Sequence, residues 1–237
     1  MHITLLILSF CLFGQAFAFK HFVLISAPGS GKGTLAQYLV EKYDYVQVSP
    51  GDIFRNEVRL QTDLGKRITP AVAKGDLVDE AIVCELMERY LIEILAHNKC
   101  FVLDGFPRSE HSFHFLNRFI QAHKIEHEVC FIQLLVDDEV CIKRIVERQV
   151  CTQCFKVYNA SSVKSKTANK CDQCGIDLVM RQADTEEPFR KRLEYFHAHI
   201  EPIIDRAKTF YPTKIINGER PLEALQCYYD ELLKEEN

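Results

Sequence analysis

Glycines and a lysine lie together near the start of the chain, in a setting that suits phosphate binding. Residues 27–34 read Ala-Pro-Gly-Ser-Gly-Lys-Gly-Thr, after the apolar run 22–26 and before leucines at helical spacing. Such glycines let backbone N–H groups turn toward an anion, and Lys32 could reach the β- and γ-phosphates of a nucleotide. A strict phosphate-loop pattern fails at two positions, because Ser26 replaces the first glycine and an extra glycine follows the lysine. A chance glycine-rich turn is therefore the alternative.

Two Cys-x-x-Cys pairs follow in the second half of the chain. The four cysteines are Cys151, Cys154, Cys171 and Cys174. Two such pairs at this separation predict a tetrahedral Zn²⁺ site. Two disulfides and a metal-free loop are the alternatives. The Ser/Lys-rich spacer has too little apolar content to fold alone, so a bound metal would supply the missing core. Its lysines would also suit a nucleic-acid-binding ribbon, but few aromatic residues lie nearby.

Arginines recur at positions that could surround a phosphate-rich ligand. They are Arg55, Arg108, Arg144, Arg148, Arg181 and Arg192. Arg144 and Arg148 are four residues apart and would share one helix face. Scattered arginines usually belong to a solvated surface, but guanidinium groups also bind phosphoryl oxygens in a bidentate manner. The net charge is −4, so any anion site must be built locally from such residues.

The composition is that of a folded globular protein. The chain has 237 residues, of which 47% are hydrophobic and 26% charged. These values exclude a disordered chain, a collagen and a multi-span membrane protein, and the length corresponds to one or two domains.

Short apolar runs alternate with helical patterns along the chain. Predicted strands cover residues 22–26, 45–48, 100–103, 129–136 and 214–216. Predicted helices follow the glycine-rich turn, run from residue 79 or 80 to about 96, start at 137–138, pass through Leu193 and Phe196, and cover 221–233. The Asp184-x-x-Glu187 pattern resembles a capping box for the helix through Leu193. This alternation predicts βαβ units and a parallel sheet, which binds ligands beyond the carboxyl ends of its strands.

The five cysteines of the fold outside the two pairs are predicted to be buried free thiols. They are Cys84, Cys100, Cys130, Cys141 and Cys227. Most stand beside apolar residues, and an odd number is a poor disulfide framework. They favour a reducing compartment.

The N-terminus favours the opposite compartment. Residues 3–13 form an apolar run, and Ala-Phe-Ala at 16–18 suits cleavage after Ala18. No lysine or arginine precedes the run, which argues against an export signal. A cleaved leader, an uncleaved anchor and a leader-like extension on a cytosolic protein all stay open.

Taken in order, the motifs closely resemble those of the adenylate kinase family, in the long form with a zinc-binding lid. Besides residues 27–34, the cysteines and the arginines, the matching motifs are Gly51-Asp52-x-x-Arg55, Gly75-x-Leu77-Val78-x-Glu80, Leu103-Asp104-Gly105-Phe106-Pro107-Arg108 and Arg144-x-x-x-Arg148. The resemblance runs from Phe22 to the end and leaves residues 1–18 as an appendage.

The resemblance implies an α/β fold: a phosphate-loop parallel sheet with flanking helices, a nucleoside-monophosphate-binding segment and a zinc-knuckle lid. The core would cover residues 19–237, the monophosphate-binding segment 49–78 and the lid 147–184. The implied reaction is the reversible, Mg²⁺-dependent transfer of a phosphoryl group from ATP to AMP, giving two ADP. The family also implies structural Zn²⁺ and a monomer. We expect no nucleic-acid partner, no stable membrane insertion of the core, and the cytoplasm, with export as the alternative.

The family assigns roles by position. The expected ATP-binding residues are Gly29, Ser30, Gly31, Lys32, Gly33, Thr34, Arg144, Arg148, Val157 and Tyr158. The expected AMP-binding residues are Pro50, Arg55, Asp76, Leu77, Val78, Gly105, Phe106, Pro107, Arg108, Ser112, Arg181 and Arg192. The expected catalytic residues are Lys32, Arg108, Arg144, Arg148, Arg181 and Arg192. Asp104 would position hydrated Mg²⁺.

Four positions depart from the family pattern. Pro50 replaces a threonine, Ser112 a glutamine that reads adenine, Glu147 a glycine and Ala183 an aspartate. The phosphate-handling residues are thus intact, whereas base-reading residues are altered. A kinase for GMP, UMP or CMP is one alternative, and an exported nucleotide-binding protein with little turnover is another.

Overall fold

The central element of the fold is a five-stranded parallel sheet. The structure is a computed structural model that describes residues 19–74, 78–181 and 184–234. The strands of the sheet are β1 (His21–Leu24), β2 (Val46–Val48), β3 (Phe101–Asp104), β4 (Val129–Leu135) and β8 (Thr213–Asn217), in the spatial order β2-β3-β1-β4-β8. Phe22 is paired with Val102 on one side and with Cys130 on the other. The predicted α/β class and the parallel sheet are confirmed.

Helices connect and cover these strands. They are α1 (Lys32–Tyr43), α2 (Pro50–Arg59), α3 (Asp63–Lys74), α4 (Glu80–Ala96), α5 (Glu110–His123), α6 (Asp138–Val146), α7 (Glu186–Tyr195), α8 (Glu201–Ala207) and α9 (Leu222–Lys234). A π-helical turn, Phe196–Ile200, joins α7 to α8. Helices α1, α4, α6, α7 and α9 match predicted helices, whereas α2, α3, α5 and α8 were not predicted.

The starts of two predicted helices follow from aspartate caps. The Asp79 carboxylate accepts the N–H groups of Ala81 and Ile82 at the start of α4. The Asp137 carboxylate accepts the N–H of Glu139 at the start of α6. Each side chain satisfies backbone donors that a helix start leaves unpaired.

The capping box predicted for α7 is wrong. Thr185 occupies the N-cap position, and its side chain makes no capping hydrogen bond. The Asp184 side chain is instead fully buried and accepts two hydrogen bonds from Arg148. The Asp184 carboxylate thus binds the Arg148 guanidinium instead of capping the start of α7.

Alternate residues of the sheet feed two apolar layers, as the strand period requires. Val23, Phe101 and Phe131 pack with α4, α5 and α8 on one face. Phe22 and Ile132 pack on the other face with buried residues of α1 and α9. The layers fix the strand ends and so the loops that follow them.

The cysteine prediction is confirmed in part. Cys84, Cys130 and Cys141 are buried free thiols, and Cys100 is half-buried. Cys227 is exposed, so the prediction is wrong there. The buried face of α9 carries Leu225, Tyr229 and Leu232, and residue 227 points away from it.

A separate three-stranded antiparallel sheet lies between α6 and α7. It consists of β5 (Arg148–Cys151), β6 (Val157–Asn159) and β7 (Leu178–Val179), in the order β6-β5-β7. Its small core contains Cys151, Tyr158, Cys171 and Leu178. We call residues 147–184 the lid. This span and the monophosphate-binding segment 49–78, which contains α2 and α3, stay predictions.

None of the helices in the described ranges is both long and apolar enough to cross a membrane. The predicted leader, residues 1–18, lies outside the described residues. So do Asp76, Leu77 and Ala183.

Candidate functional site

The glycine-rich turn follows β1 and leads directly into α1. Gly29 and Gly31 have positive φ angles of 81° and 98°. A Cβ on Gly29 would lie 2.7 Å from the Cys141 carbonyl oxygen, so only glycine fits there. Ser26, which departs from the strict motif, is buried and accepts the N–H of Leu134 at 2.7 Å. The serine therefore ties β1 to β4 beneath the turn.

Lys32 is the first residue of α1 and lies beneath this turn. Its Nζ donates to the Ala27 carbonyl at 3.4 Å. Burial lowers the pKa of Lys32 to about 8, and the Asp104 carboxylate opposes this shift. A phosphate group bound beside Lys32 would therefore stabilise the charged form of the lysine.

Asp104 ends β3 and faces the glycine-rich turn. Its Oδ2 accepts a hydrogen bond from Gln47 Nε2 at 3.2 Å. A Cβ on Gly33 would lie 3.1 Å from the same oxygen. The carboxylate therefore stands beside the predicted phosphate site, where the predicted role in holding hydrated Mg²⁺ requires it. Hard carboxylate oxygens suit Mg²⁺.

Arg148 and Arg192 converge on one buried carboxylate at the junction of lid and core. Arg148 Nε and Nη2 donate to Asp184 Oδ2 and Oδ1 at 2.7 and 2.6 Å. Arg192 Nη1 lies 3.8 Å from Asp184 Oδ1. Burial, with the neighbouring Arg148, lowers the pKa of Arg192 to about 10. The charged guanidinium groups are crowded, which favours binding of an anion.

Arg55 and Arg181 share a second carboxylate. Arg55 makes a short ion pair with Asp52, and Arg181 Nη2 lies 3.7 Å from the same Asp52 oxygen. Burial, with the charge of Arg55, lowers the pKa of Arg181 to about 9. The buried Nε atoms of Arg55 and Arg181 have no hydrogen-bond partner within the described part of the chain. These donors are available to a ligand.

Arg144 and Arg108 are held by carbonyl groups. Arg144 donates to the carbonyls of Ser30 and Gly218, both at 3.1 Å. Arg108 Nε donates to the Gly105 carbonyl at 2.7 Å, and burial lowers the pKa of Arg108. Neither guanidinium has a carboxylate within ion-pair distance in the described ranges, so their charges remain uncompensated by direct contacts.

One cleft of about 840 Å³ contains nearly all the predicted site residues. The predicted residues that line it are Gly29, Ser30, Gly31, Lys32, Gly33, Thr34, Pro50, Arg55, Val78, Asp104, Gly105, Phe106, Arg108, Ser112, Arg144, Arg148, Val157, Tyr158, Arg181 and Arg192. Pro107 is not among the described residues that line the cleft. A volume of this size is within the range of ligand pockets.

Several lining residues were not identified as site residues from the sequence. They include Gln47, Phe54, Glu80, Gly218, Glu219 and Arg220. Residues 218–220 directly follow β8, and the rule that ligands lie beyond the carboxyl ends of parallel strands could have indicated them. Gln47 and Phe54 carry no pattern that would mark them.

The four paired cysteines form a candidate metal centre in the lid. Their sulfur atoms all lie within 4.8 Å of one another, and Cys154 Sγ is 3.6 Å from Cys171 Sγ. A Zn–S bond of about 2.3 Å in tetrahedral geometry requires sulfur–sulfur distances of about 3.8 Å. The N–H groups of Cys154 and Cys174 point at Cys151 Sγ and Cys171 Sγ, at 3.5 and 3.4 Å. The residues fit a structural Zn²⁺ ion.

Ion pairs attach the lid to the rest of the molecule. Lys156 Nζ lies 2.7 Å from Glu41 Oε1 of α1. The Arg181–Asp52 contact connects the lid to α2. Lys156 immediately precedes Val157, which lines the cleft. The lid therefore contacts α1 and α2, and it lines one cleft together with the glycine-rich turn.

Comparison with known proteins agrees with this geometry. A family model described as adenylate kinase matches residues 24–212. The adenylate kinase of Thermodesulfovibrio yellowstonii is 38% identical over 186 residues, which are 77% of this chain and 84% of that protein. Those of Chloroherpeton thalassium and Rickettsia akari are each 32% identical, over 89% and 90% of this chain and 96% and 98% of their own lengths.

Proposed function

This chain belongs to the adenylate kinase family, and we propose that its cleft transfers a phosphoryl group reversibly from ATP to AMP, giving two ADP. The observation that carries the proposal is the convergence of Lys32 and six arginines on one cleft. The arginines are Arg55, Arg108, Arg144, Arg148, Arg181 and Arg192. Phosphoryl transfer needs positioning and charge neutralisation rather than a covalent intermediate, and this cleft offers both.

The donor half of the cleft is the glycine-rich turn with the lid above it. Backbone N–H groups of residues 29–34 and the Lys32 ammonium would hold the β- and γ-phosphates. Arg144 contacts the Ser30 carbonyl, so its guanidinium would lie near the same phosphates. Val157 of the lid would cover the adenosine. Tyr158 also lines the cleft, but its ring is buried in the lid core and its hydroxyl donates to Cys171 Sγ at 3.6 Å.

The acceptor half lies toward α2 and the turn after β3. Arg55 and Arg108 would grip the AMP phosphate, because both guanidinium groups line that side of the cleft. Arg181 and Arg192 would lie between donor and acceptor phosphates, since each faces a carboxylate at the junction of the halves. Pro50, Val78 and Ser112 belong to the same side.

The metals have separate roles. Asp104 would hold Mg²⁺ through water, and the ion would neutralise phosphate oxygens of ATP. Zn²⁺ is structural, because four thiolates leave no open coordination position. Closure of the lid would exclude water and so suppress hydrolysis of ATP.

The proposal is tested by Arg108→Ala in a coupled assay of ADP formation. Loss of the acceptor clamp predicts a fall in kcat/KM for AMP on the order of 10³-fold, by analogy with other arginines that stabilise transferring phosphoryl groups. Arg118→Ala is the matched control, because Arg118 is exposed on α5 and does not line the cleft. Near-normal turnover of a folded Arg108→Ala protein would remove the acceptor-clamp role.

The relatives and the intact set of cations favour AMP over the two alternatives considered. Monophosphates of guanosine, uridine and cytidine, assayed beside AMP, would identify another acceptor. For the compartment we propose the cytoplasm, supported by the free thiols and by a Cys₄ site that requires reduced cysteines. We also propose a monomer, because donor and acceptor halves are complete within one chain.

A further inference from the structure

The acceptor half of the cleft has apolar walls. The residues that form them are Phe54, Val72, Ala73, Val78, Val83 and Phe106. Phe54 belongs to a small buried cluster with Ile68 and Leu86, and Val72, Val78 and Val83 pack against it. Such walls suit the faces of a planar base, but they cannot distinguish one purine from another. Discrimination requires a polar group at the edge of the base.

Ser112 is not available to supply that polar group. Its Oγ accepts the backbone N–H groups of Arg108 and Ser109, at 3.0 and 2.9 Å. It also donates to the Ser109 carbonyl at 3.0 Å. A hydroxyl has one donor and two acceptor positions, so this set uses all three. Ser112 therefore fixes the backbone that carries Arg108.

Apart from Glu223, which lies on the donor side near Glu219, the carboxylates elsewhere in the cleft are similarly occupied. Asp52 pairs with two arginines, and Asp104 accepts from Gln47. Asp184 is bound by Arg148, and Glu219 accepts the N–H of Asp137 on the donor side. Each of these side chains serves a protein partner.

Glu80 is different. It is half-buried at the start of α4, lines the acceptor half between Val78 and Val83, and has neither a hydrogen bond nor an ion pair to any other described residue. A carboxylate in an apolar slot gains from a donor on the ligand, because an unpaired charge there is costly. Among the described residues, Glu80 is thus the carboxylate of the base slot that has no protein donor.

We propose that Glu80 is the specificity-determining residue for the acceptor base and accepts a hydrogen bond from the 6-amino group of adenine. The inference rests on the proposed function. An ionised carboxylate only accepts hydrogen bonds, so it attracts a base with an amino group at this edge and repels one with a carbonyl oxygen. AMP has the amino group at position 6, whereas IMP has a carbonyl oxygen there and is otherwise nearly identical in shape. IMP also has a donor at N1, so the proposal requires that the Glu80 carboxylate faces position 6 and not N1.

The test compares kcat/KM for AMP and IMP in the complete, zinc-loaded protein and in Glu80→Gln. The amide can donate to a carbonyl oxygen, so the AMP/IMP ratio should fall roughly 10- to 100-fold, the range expected for a hydrogen bond to a charged group. KM for ATP should change by less than about twofold, because Glu80 lies in the acceptor half. Glu80→Ala should also lower the ratio. The ratio is internal to each sample, so partial misfolding cancels.

Ser112→Ala is the matched comparison. It should weaken AMP and IMP equally, because it loosens Arg108, which contacts the phosphate that both acceptors share. An AMP/IMP ratio unchanged within twofold in both Glu80 variants would overturn the inference, as would a ratio that collapses in Ser112→Ala alone. Failure of the unmodified protein to phosphorylate AMP at all would instead contradict the proposed function.

Discussion

At the scale of single residues, the site is set by charges held in unfavourable surroundings. Lys32, Arg181 and Arg192 all have pKa values lowered by burial. The guanidinium groups remain charged at neutral pH. Phosphate groups placed among them would relieve both the desolvation and the mutual repulsion. The residues whose charged forms are destabilised by burial are thus the ones expected to bind the substrate phosphates.

Lys32 provides the first prediction at this scale. With a pKa of about 8, Lys32 is half neutral near pH 8 and mostly neutral at higher pH when no nucleotide is bound. Bound triphosphate would raise that pKa, so ATP binding at pH 8.5 should take up protons, and at pH 7 Lys32 should contribute little uptake. Calorimetry in two buffers of different ionisation enthalpy measures this uptake. Buffer-independent heats at pH 8.5, or equal uptake by Lys32→Met, would contradict it.

Asp184 provides a second prediction. Asp184 is fully buried and accepts both Arg148 hydrogen bonds, so Asp184→Asn leaves a largely buried guanidinium without its counter-charge. We expect a loss of about 2–3 kcal/mol in the free energy of unfolding, less than for a wholly buried pair because Arg148 is partly exposed. Urea unfolding measures it. Asp205→Asn, at an exposed Lys208 pair, should change stability by less than about 0.5 kcal/mol.

At the scale of elements, apolar runs predicted the parallel strands to within two residues at each end. Strands buried on both faces read as continuous apolar runs, which makes them visible in a sequence. Helix α3 was not predicted, because Gly65 and Pro70 interrupt its pattern. A Cβ on Gly65 would lie 2.1 Å from the Glu57 carbonyl oxygen, so close packing of α2 and α3 requires that glycine. The hydrophobic periodicity of the local sequence does not reveal that α2 and α3 pack closely at this glycine.

The lid should depend on its metal. Its core contains only Cys151, Tyr158, Cys171 and Leu178, too few residues to hold three short strands without further support. Purified protein should contain about one zinc per chain. Lys164 and Lys166 are already exposed, and chelation should speed tryptic cleavage after them because an unfolded lid lets its backbone enter the protease, while the core stays resistant. Absence of zinc with reduced thiols, or the same digestion pattern after chelation, would contradict this account of the lid.

The Lys156–Glu41 pair should favour the closed lid. Exposed ion pairs contribute about 0.2–1 kcal/mol, so Lys156→Ala should raise KM for ATP by roughly 1.5- to 5-fold. Glu41→Ala should have the same effect, and the double variant no more than either alone. Lys170→Ala is the control, because Lys170 pairs with Asp177 inside the lid. Additive effects of the two substitutions would show that the pair is not coupled.

At the scale of the whole molecule, the cleft joins residues that are distant in sequence. Glu41 and Lys156 are 115 residues apart, and Arg144 contacts Ser30 across 114 residues. Most of the site residues predicted from motif order line the cleft. It could not predict which carboxylate each arginine would face, or that Ser112 would be used by the backbone, because those contacts depend on side-chain directions fixed only by the fold. The base-reading group was missed for the same reason.

The central claim is that one polyphosphate lies between the glycine-rich turn and the converging arginines. A crystal structure with two adenosines joined by a five-phosphate chain tests it most directly. We predict phosphate oxygens within hydrogen-bonding distance of Lys32, Arg108, Arg148 and Arg192, with one adenine beside Val157 and the other beside Glu80. A ligand bound outside this cleft, or arginine side chains turned away from the phosphates, would contradict the account.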